Sequence, residues 1–228
     1  MSRTPFFVPA EKFLYKRANL QFAHGVIREQ SIPTHMEKKS IKGTRTEHNL
    51  LASFAGESQA RNRYTLFAEK AVEEGYEQIA AIFLATAGQE LSHAKLFFSL
   101  LEGGVVTISA AYPAGVVADT KTNLAEAAAG ELEEWSALYE DFAAVAAEEG
   151  FPHIAALYNS IITVEKMHEE RYRKLHQLME DGKVFTSDEP VKWYCRNCGY
   201  TIEAKSAPRR CPVCGKDQGW FERFPDNY

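Results

Sequence analysis

The chain has 228 residues, enough for one or two domains with a substantial core, and its 45% hydrophobic and 25% charged content is that of a soluble globular protein. A net charge of −5 without a clustered Lys/Arg block speaks against a nucleic-acid partner. No apolar run approaches the roughly 18–20 residues of a membrane span, and the cysteines are confined to the last 34 residues, so a reducing cytoplasm is the natural setting.

Residues 1–35 mix aromatics, prolines and basic residues without a sustained period. Residues 6–10 are too short for a secretory h-region and carry Pro9; residues 11–29 have weak amphipathic character, which an organelle-targeting segment would also show. The preferred reading is a dispensable extension, poorly ordered over residues 1–40, with Met36 as the natural start.

From Thr46 the chain carries helical stripes with steps of three and four residues. Leu50, Phe54, Glu57, Tyr64 and Ala68 share one face; Ile79, Phe83, Thr86, Glu90, His93, Phe97 and Leu100 share another. A third stripe holds Leu124, Ala127, Glu131, Glu134 and Leu138, and a fourth Ile154, Tyr158, Ile161, Glu165, His168, Tyr172 and Leu175. Breaks at Gly75, Gly103-Gly104 and Gly150-Phe151-Pro152 predict helices over 46–74, 76–102, 122–149 and 152–181. The long stretch 103–121, with Pro113 and Gly115, reads as a crossover along a four-helix bundle.

The two helix pairs repeat. Glu90-Leu91-Ser92-His93 and Glu165-Lys166-Met167-His168 are offset by 75 residues, while Gly56-Glu57 and Gly130-Glu131 are offset by 74. A helix places residues i and i+3 on one face, so each Glu-x-x-His motif aims two ligands inward. With Glu57 and Glu131 they make the ligand set of a carboxylate-bridged di-metal site. Each unpaired buried carboxylate costs several kcal/mol, so several would exceed the roughly 5–15 kcal/mol that stabilises a domain. Arg61 is the only obvious inward cation on these faces, and multivalent metal removes the conflict. At about 100° per residue Glu133 lies about 200° from Glu131, whereas Glu134 lies about 60° from it and is expected to be a further ligand. Such hard oxygen ligands with a little nitrogen suit iron or manganese. Tyr64 and Tyr139 fall within reach, as hydrogen-bond donors to ligands or proton sources or as ordinary core tyrosines. His153 is expected at the surface.

After a polar linker over residues 183–190, residues 191–228 form a small part that needs a staple. Cys195-Arg196-Asn197-Cys198-Gly199 and Cys211-Pro212-Val213-Cys214-Gly215 read as tetrahedral thiolate ligation, by iron or by structural zinc, inside an aromatic wrap of Trp193, Tyr200, Trp220 and Phe221.

These motifs together resemble the rubrerythrin family. The resemblance runs from Met36 to the C-terminus and is carried by Lys42-Gly43-Thr44-Arg45-Thr46-Glu47, by the segment from Phe54 to Tyr64, by both Glu-x-x-His motifs, by Gly130-Glu131 with Glu134, and by the segment from Lys192 to Tyr200. It implies a mainly α, ferritin-like four-helix bundle over 41–182, then a rubredoxin-like Fe(Cys)₄ domain over 191–228. The implied activity is a non-haem di-iron peroxidase that reduces hydrogen peroxide and protects against oxidative stress. The resemblance also implies that Glu90 and Glu165 bridge the irons, that Glu57 binds one iron and Glu131 with His168 the other, and that Glu134 and His93 exchange as ligands between oxidised and reduced states. Electrons would come from rubredoxin or an NAD(P)H-dependent rubredoxin reductase, through a homodimer in which one rubredoxin centre faces the partner's di-iron site. Rival readings are a ferritin-like iron store and a module holding structural zinc. Leu132, Glu133 and Trp135 depart from the family pattern around the third-helix motif.

Overall fold

The computed structural model describes residues 39–225, so the reading of the N-terminal extension lies outside the described residues. The chain folds into α1 (Arg45–Glu73), α2 (Glu77–Leu100), α3 (Thr120–Glu133), one π-helical turn (Glu134–Leu138), α4 (Tyr139–Glu148) and α5 (Pro152–Glu180). A three-stranded antiparallel sheet of β1 (Thr186–Cys195), β2 (Thr201–Ser206) and β3 (Phe221–Arg223) follows in the order β2-β1-β3. No described helix is long and apolar enough to cross a membrane.

Helices α1 and α2 pack along each other, and α5 packs against α3 and α4. Each pair turns at a glycine in the left-handed region, Gly75 (φ 79°) and Gly150 (φ 79°), which a side chain would strain. The matching bonds Tyr76 N–H to Ala71 O and Phe151 N–H to Ala146 O close both helix ends in the same way. The pairs also cap one another. Glu149 at the end of α4 accepts from the Thr46 backbone N–H at 2.8 Å and the Thr46 hydroxyl at 2.6 Å. Its repeat counterpart Glu74, just past α1, accepts from the Thr120 N–H at 2.9 Å. A carboxylate at a helix N-terminus satisfies free N–H groups and matches the helix dipole.

Two apolar clusters fill the bundle, one around Tyr64, Phe67, Phe83, Leu124 and Tyr172, the other around Leu50, Phe97, Tyr139, Ile154 and Tyr158. Along α1, α2 and α5 the inward glutamate falls between residues of these two clusters, so the site lies in the middle of the bundle.

Three expectations need correction. The third predicted helix is not continuous, because the π turn interrupts it at Glu134–Leu138 and turns Leu138 outward, 39% exposed. Arg61 faces solvent, whereas Arg63 and Arg171 are partly buried. The stretch expected as a linker already pairs, since Thr186 opposes Ser206 before an irregularity leads to the Val191–Ala204 register. The cysteine-rich part also rests on the bundle rather than hanging free. Tyr76 and Phe185 stack with ring centroids 5.8 Å apart, and Gly219 lies so close to the Gly75 carbonyl that an added Cβ would sit 2.1 Å from its oxygen.

Candidate metal centres

Four helices bring six carboxylate and imidazole side chains to one buried point. Ligand atoms of Glu57, Glu90, His93 and Glu165 all lie within 4.8 Å of one another, as do those of Glu90, Glu131, Glu165 and His168. Glu90 and Glu165 belong to both groups, which is the arrangement of two cation positions sharing two carboxylates.

Each imidazole turns Nδ1 into the cluster. His93 Nδ1 lies 3.0 Å from Glu165 Oε1, 3.1 Å from Glu90 Oε2 and 3.5 Å from Glu57 Oε2. His168 Nδ1 lies 2.7 Å from Glu165 Oε2 and 3.1 Å from Glu90 Oε1. At its far side His168 Nε2 meets the Gln89 side-chain oxygen at 2.9 Å, a bond that leaves the Nδ1 lone pair free for a cation.

The donors around the carboxylates are too few for their charge. Glu57 Oε2, Glu90 Oε1, Glu131 Oε2, both Glu165 oxygens and His168 Nδ1 are buried with no hydrogen-bond partner. Burial pushes Glu57 well above the usual carboxylate range and Glu131 up to about 8. Burial also works against a charged His168, but the Glu131, Glu165 and Glu90 carboxylates crowded against its ring outweigh that and raise it to about 11. Each direction marks a site that attracts positive charge. Two divalent cations fit this donor set of oxygens with a little nitrogen.

Both predicted tyrosines hydrogen-bond to carboxylates of the cluster. Tyr64 Oη donates to Glu131 Oε1 at 2.5 Å, and Tyr139 Oη donates to Glu57 Oε1 at 2.6 Å, each reaching into the other half. Burial holds both phenols well above their ordinary range, so they stay protonated and act as donors.

The π turn explains how Tyr139 gets there. Tyr64 follows Glu57 by seven residues, nearly two α-helical turns, whereas Tyr139 follows Glu131 by eight. An i→i+5 turn absorbs the extra residue, and the Tyr139 N–H bonds to Glu134 O. The shift from a 74-residue to a 75-residue offset is the sequence trace of this insertion. Glu134 itself is half-buried beside the cluster and joins neither ligand group. Burial, then the charges of Glu57, Glu131 and Glu165, push its carboxyl well up.

The second centre needs no charge argument. Cys195 Sγ lies 3.7 Å from Cys214 Sγ and Cys198 Sγ lies 3.6 Å from Cys211 Sγ, with no disulfide. A tetrahedron with metal–sulfur bonds of about 2.3 Å has edges of about 3.8 Å. Gly199 (φ 78°) and Gly215 (φ 72°) permit the tight turns, and the Lys216 N–H aimed at Cys214 holds that thiol down at about 6. Trp193 and Phe221 are fully buried around it.

The chain matches the family model "Rubrerythrin" over residues 48–176 and "Rubrerythrin, rubredoxin-like domain" over residues 193–222. It is 56% identical to the rubrerythrin of Porphyromonas gingivalis over 190 residues, covering 83% of this chain and 95% of that one. It is 47% identical to the rubrerythrin of Nitratidesulfovibrio vulgaris, covering 83% of this chain and 100% of that one. Among solved structures, fully reduced, all-ferrous nigerythrin superposes with a TM-score of 0.54 at 32% identity, covering 83% of this chain and 91% of that chain. A bacterioferritin of Desulfovibrio desulfuricans, 22% identical with a TM-score of 0.54 over 61% of this chain and 82% of that one, shares the fold.

Proposed function

The chain belongs to the rubrerythrin family, and we propose that it reduces hydrogen peroxide to water with electrons relayed through its four-cysteine iron. The family carries a di-iron site and a rubredoxin-type iron, and membership implies oxidoreductase chemistry of the peroxidase type. The observation that carries the proposal is the sharing of Glu90 and Glu165 by two ligand groups in a chain that also holds a separate thiolate quartet. A ferritin-like iron store has no use for the quartet.

In this reading Glu90 and Glu165 would be shared by the two irons, Glu57 would hold one, Glu131 and His168 the other, and His93 and Glu134 would alternate as ligands. The donor set supports that exchange, with His93 aimed into the cluster and Glu134 waiting beside it. When bound, the two irons supply electrons and a Lewis-acidic seat for O–O cleavage. The protein supplies the rest. Tyr64 and Tyr139 fix the orientation of Glu131 and Glu57 through their hydroxyl protons, and Gln89 fixes the ring of His168. Glu134 is the carboxyl placed to carry protons inward to the leaving oxygen.

Electron supply favours a homodimer. The cysteine part rests at the Gly75–Tyr76 turn, and His93 lies 17 residues further along the chain from Tyr76, roughly 25 Å of helix. A second copy docked on the outer face of α2, where Leu84 and Phe98 are 53% and 59% exposed, would shorten that path. The external donor is rubredoxin or an NAD(P)H-dependent rubredoxin reductase in a reducing cytoplasm. The test is anaerobic loading with ferrous iron, then peroxide consumption coupled to NADH oxidation. Two oxygen-ligated irons and one red ferric-thiolate centre per chain with coupled turnover support the proposal; colourless zinc at the quartet, or iron cores growing under ferrous loading, refute it.

A further inference from the structure

A cavity of about 500 Å³ lies between α1, residues 107–113 of the crossover and the π turn. Its wall includes Tyr139, whose hydroxyl is bonded to Glu57, and Glu134, so it reaches the edge of the di-iron site. Hydrogen peroxide needs little more room than a water or two, at about 30 Å³ each, whereas an apolar cavity of about 150 Å³ already holds benzene. The volume is in the range of small-molecule pockets, roughly 300–1,000 Å³. Much of its wall is apolar, with Ala52, Ile108, Leu138 and Phe142 among the lining residues.

The space is kept open by residues that the peroxide chemistry does not explain. Gly56 and Gly130, each directly before a site glutamate, both line the cavity. A glycine inside a helix costs about 1 kcal/mol relative to alanine. Packing does not demand one at residue 56, where an added Cβ would meet Tyr112 Cε1 at an ordinary 3.6 Å. The glycine leaves the cavity floor bare. On the opposite side the π turn directs Leu138 outward instead of into the bundle. The roof is the crossover, small at Ser109, Ala110 and Ala111, and tied down where Tyr112 Oη donates to the Ala52 carbonyl at 2.8 Å.

We propose that this cavity seats the organic group of alkyl or aryl hydroperoxides, which makes them a second substrate class of the same centre. The inference rests on the peroxidase reading. The hydroperoxide O–O bond breaks, two electrons and two protons are taken up, and the products are the corresponding alcohol and water. The electrons come from the reduced rubredoxin-type donor that serves hydrogen peroxide. Glu134 lines the cavity beside Tyr139, so the cavity runs up to the edge of the site.

The test uses the full-length, iron-loaded protein with cumene hydroperoxide as substrate and cumyl alcohol, its product, as an inert ligand. Equilibrium dialysis reads alcohol binding independently of turnover. Wild type is expected to bind the alcohol and to consume the aryl hydroperoxide. Ala52→Phe and Ile108→Trp fill the cavity from opposite walls. Each is expected to abolish alcohol binding and to lower kcat/KM for cumene hydroperoxide about tenfold, while that for hydrogen peroxide stays within about twofold. Aryl hydroperoxide turnover that both variants leave intact overturns the inference. So does a wild type that consumes hydrogen peroxide but neither binds the alcohol nor consumes the aryl substrate, in which case the peroxidase reading stands. A protein that consumes neither peroxide overturns the reading beneath.

Discussion

The two halves of the bundle are copies that differ by one residue. In the first, α1 runs without interruption from Glu57 to Tyr64; in the second, the path from Glu131 to Tyr139 is one residue longer and passes through a π turn. Both tyrosines still reach the opposite half's glutamate, at 2.5 and 2.6 Å. The insertion therefore leaves the symmetric frame intact. What it changes is the wall between Glu134 and Leu138, where the first half presents Ala60 in the core and the second presents an additional carboxylate and an opened cavity. On the proposed reading, the symmetric part would hold metal and the asymmetric part would admit substrate and protons.

Five substitutions and one deletion probe what the halves share and where they part. The largest effect belongs to the shared carboxylates. Glu165→Ala removes a ligand common to both positions, so both irons are lost and peroxide turnover falls on the order of a thousandfold. Glu57→Ala touches one position and keeps the iron held by the other half, which elemental analysis per chain will show. Next comes deletion of Ser136, which restores an uninterrupted third helix. Because the first half already has that geometry, iron content is expected to hold while turnover drops about 10–100-fold, as for loss of an outer-sphere partner.

Tyr64→Phe and Tyr139→Phe each strip a donor from a buried carboxylate, costing about 1–3 kcal/mol. The iron-loaded protein should lose about 2–10 °C in Tm for either change. Matching losses of stability with turnover impaired more by Tyr139→Phe would confirm that the halves share a frame but not a role; matching losses of turnover would contradict it. The smallest effect is at the reciprocal caps. Bonds from Thr46 and the α1 backbone, outweighing burial, hold Glu149 down at about 2. Its folded value lies below its unfolded one, so the cap's stability is complete above about 4.5, the ordinary value, and is lost as pH falls towards 2. Glu149→Gln should remove about 1 kcal/mol at neutral pH and flatten that part of the acid-unfolding curve.

The bundle and both centres were legible because burial makes a glutamate between Leu, Ile and Phe on a helical seam too costly without a cation, and because two Cys-x-x-Cys pairs have few uses. The break in the third helix was not, since a constant 100° per residue cannot reveal a local change of winding. It also misplaced Leu138, four residues past Glu134 on an assumed α-helix. Only the one-residue mismatch between repeat offsets carried a trace of it. Gln89 was hidden for a different reason: its partner is a ring on another helix, 79 residues away. Arg61 was misread because its phase near Glu57 says nothing of how far a long side chain can turn to water.

Anaerobic stopped-flow of the fully reduced, iron-loaded protein, following the ferric-thiolate and di-iron absorbance together, tests the central claim most directly. Hydrogen peroxide is expected to oxidise the di-iron site much faster than air-level dioxygen does, and the thiolate centre is then expected to oxidise as it refills it. Oxidation by peroxide no faster than by air would contradict it.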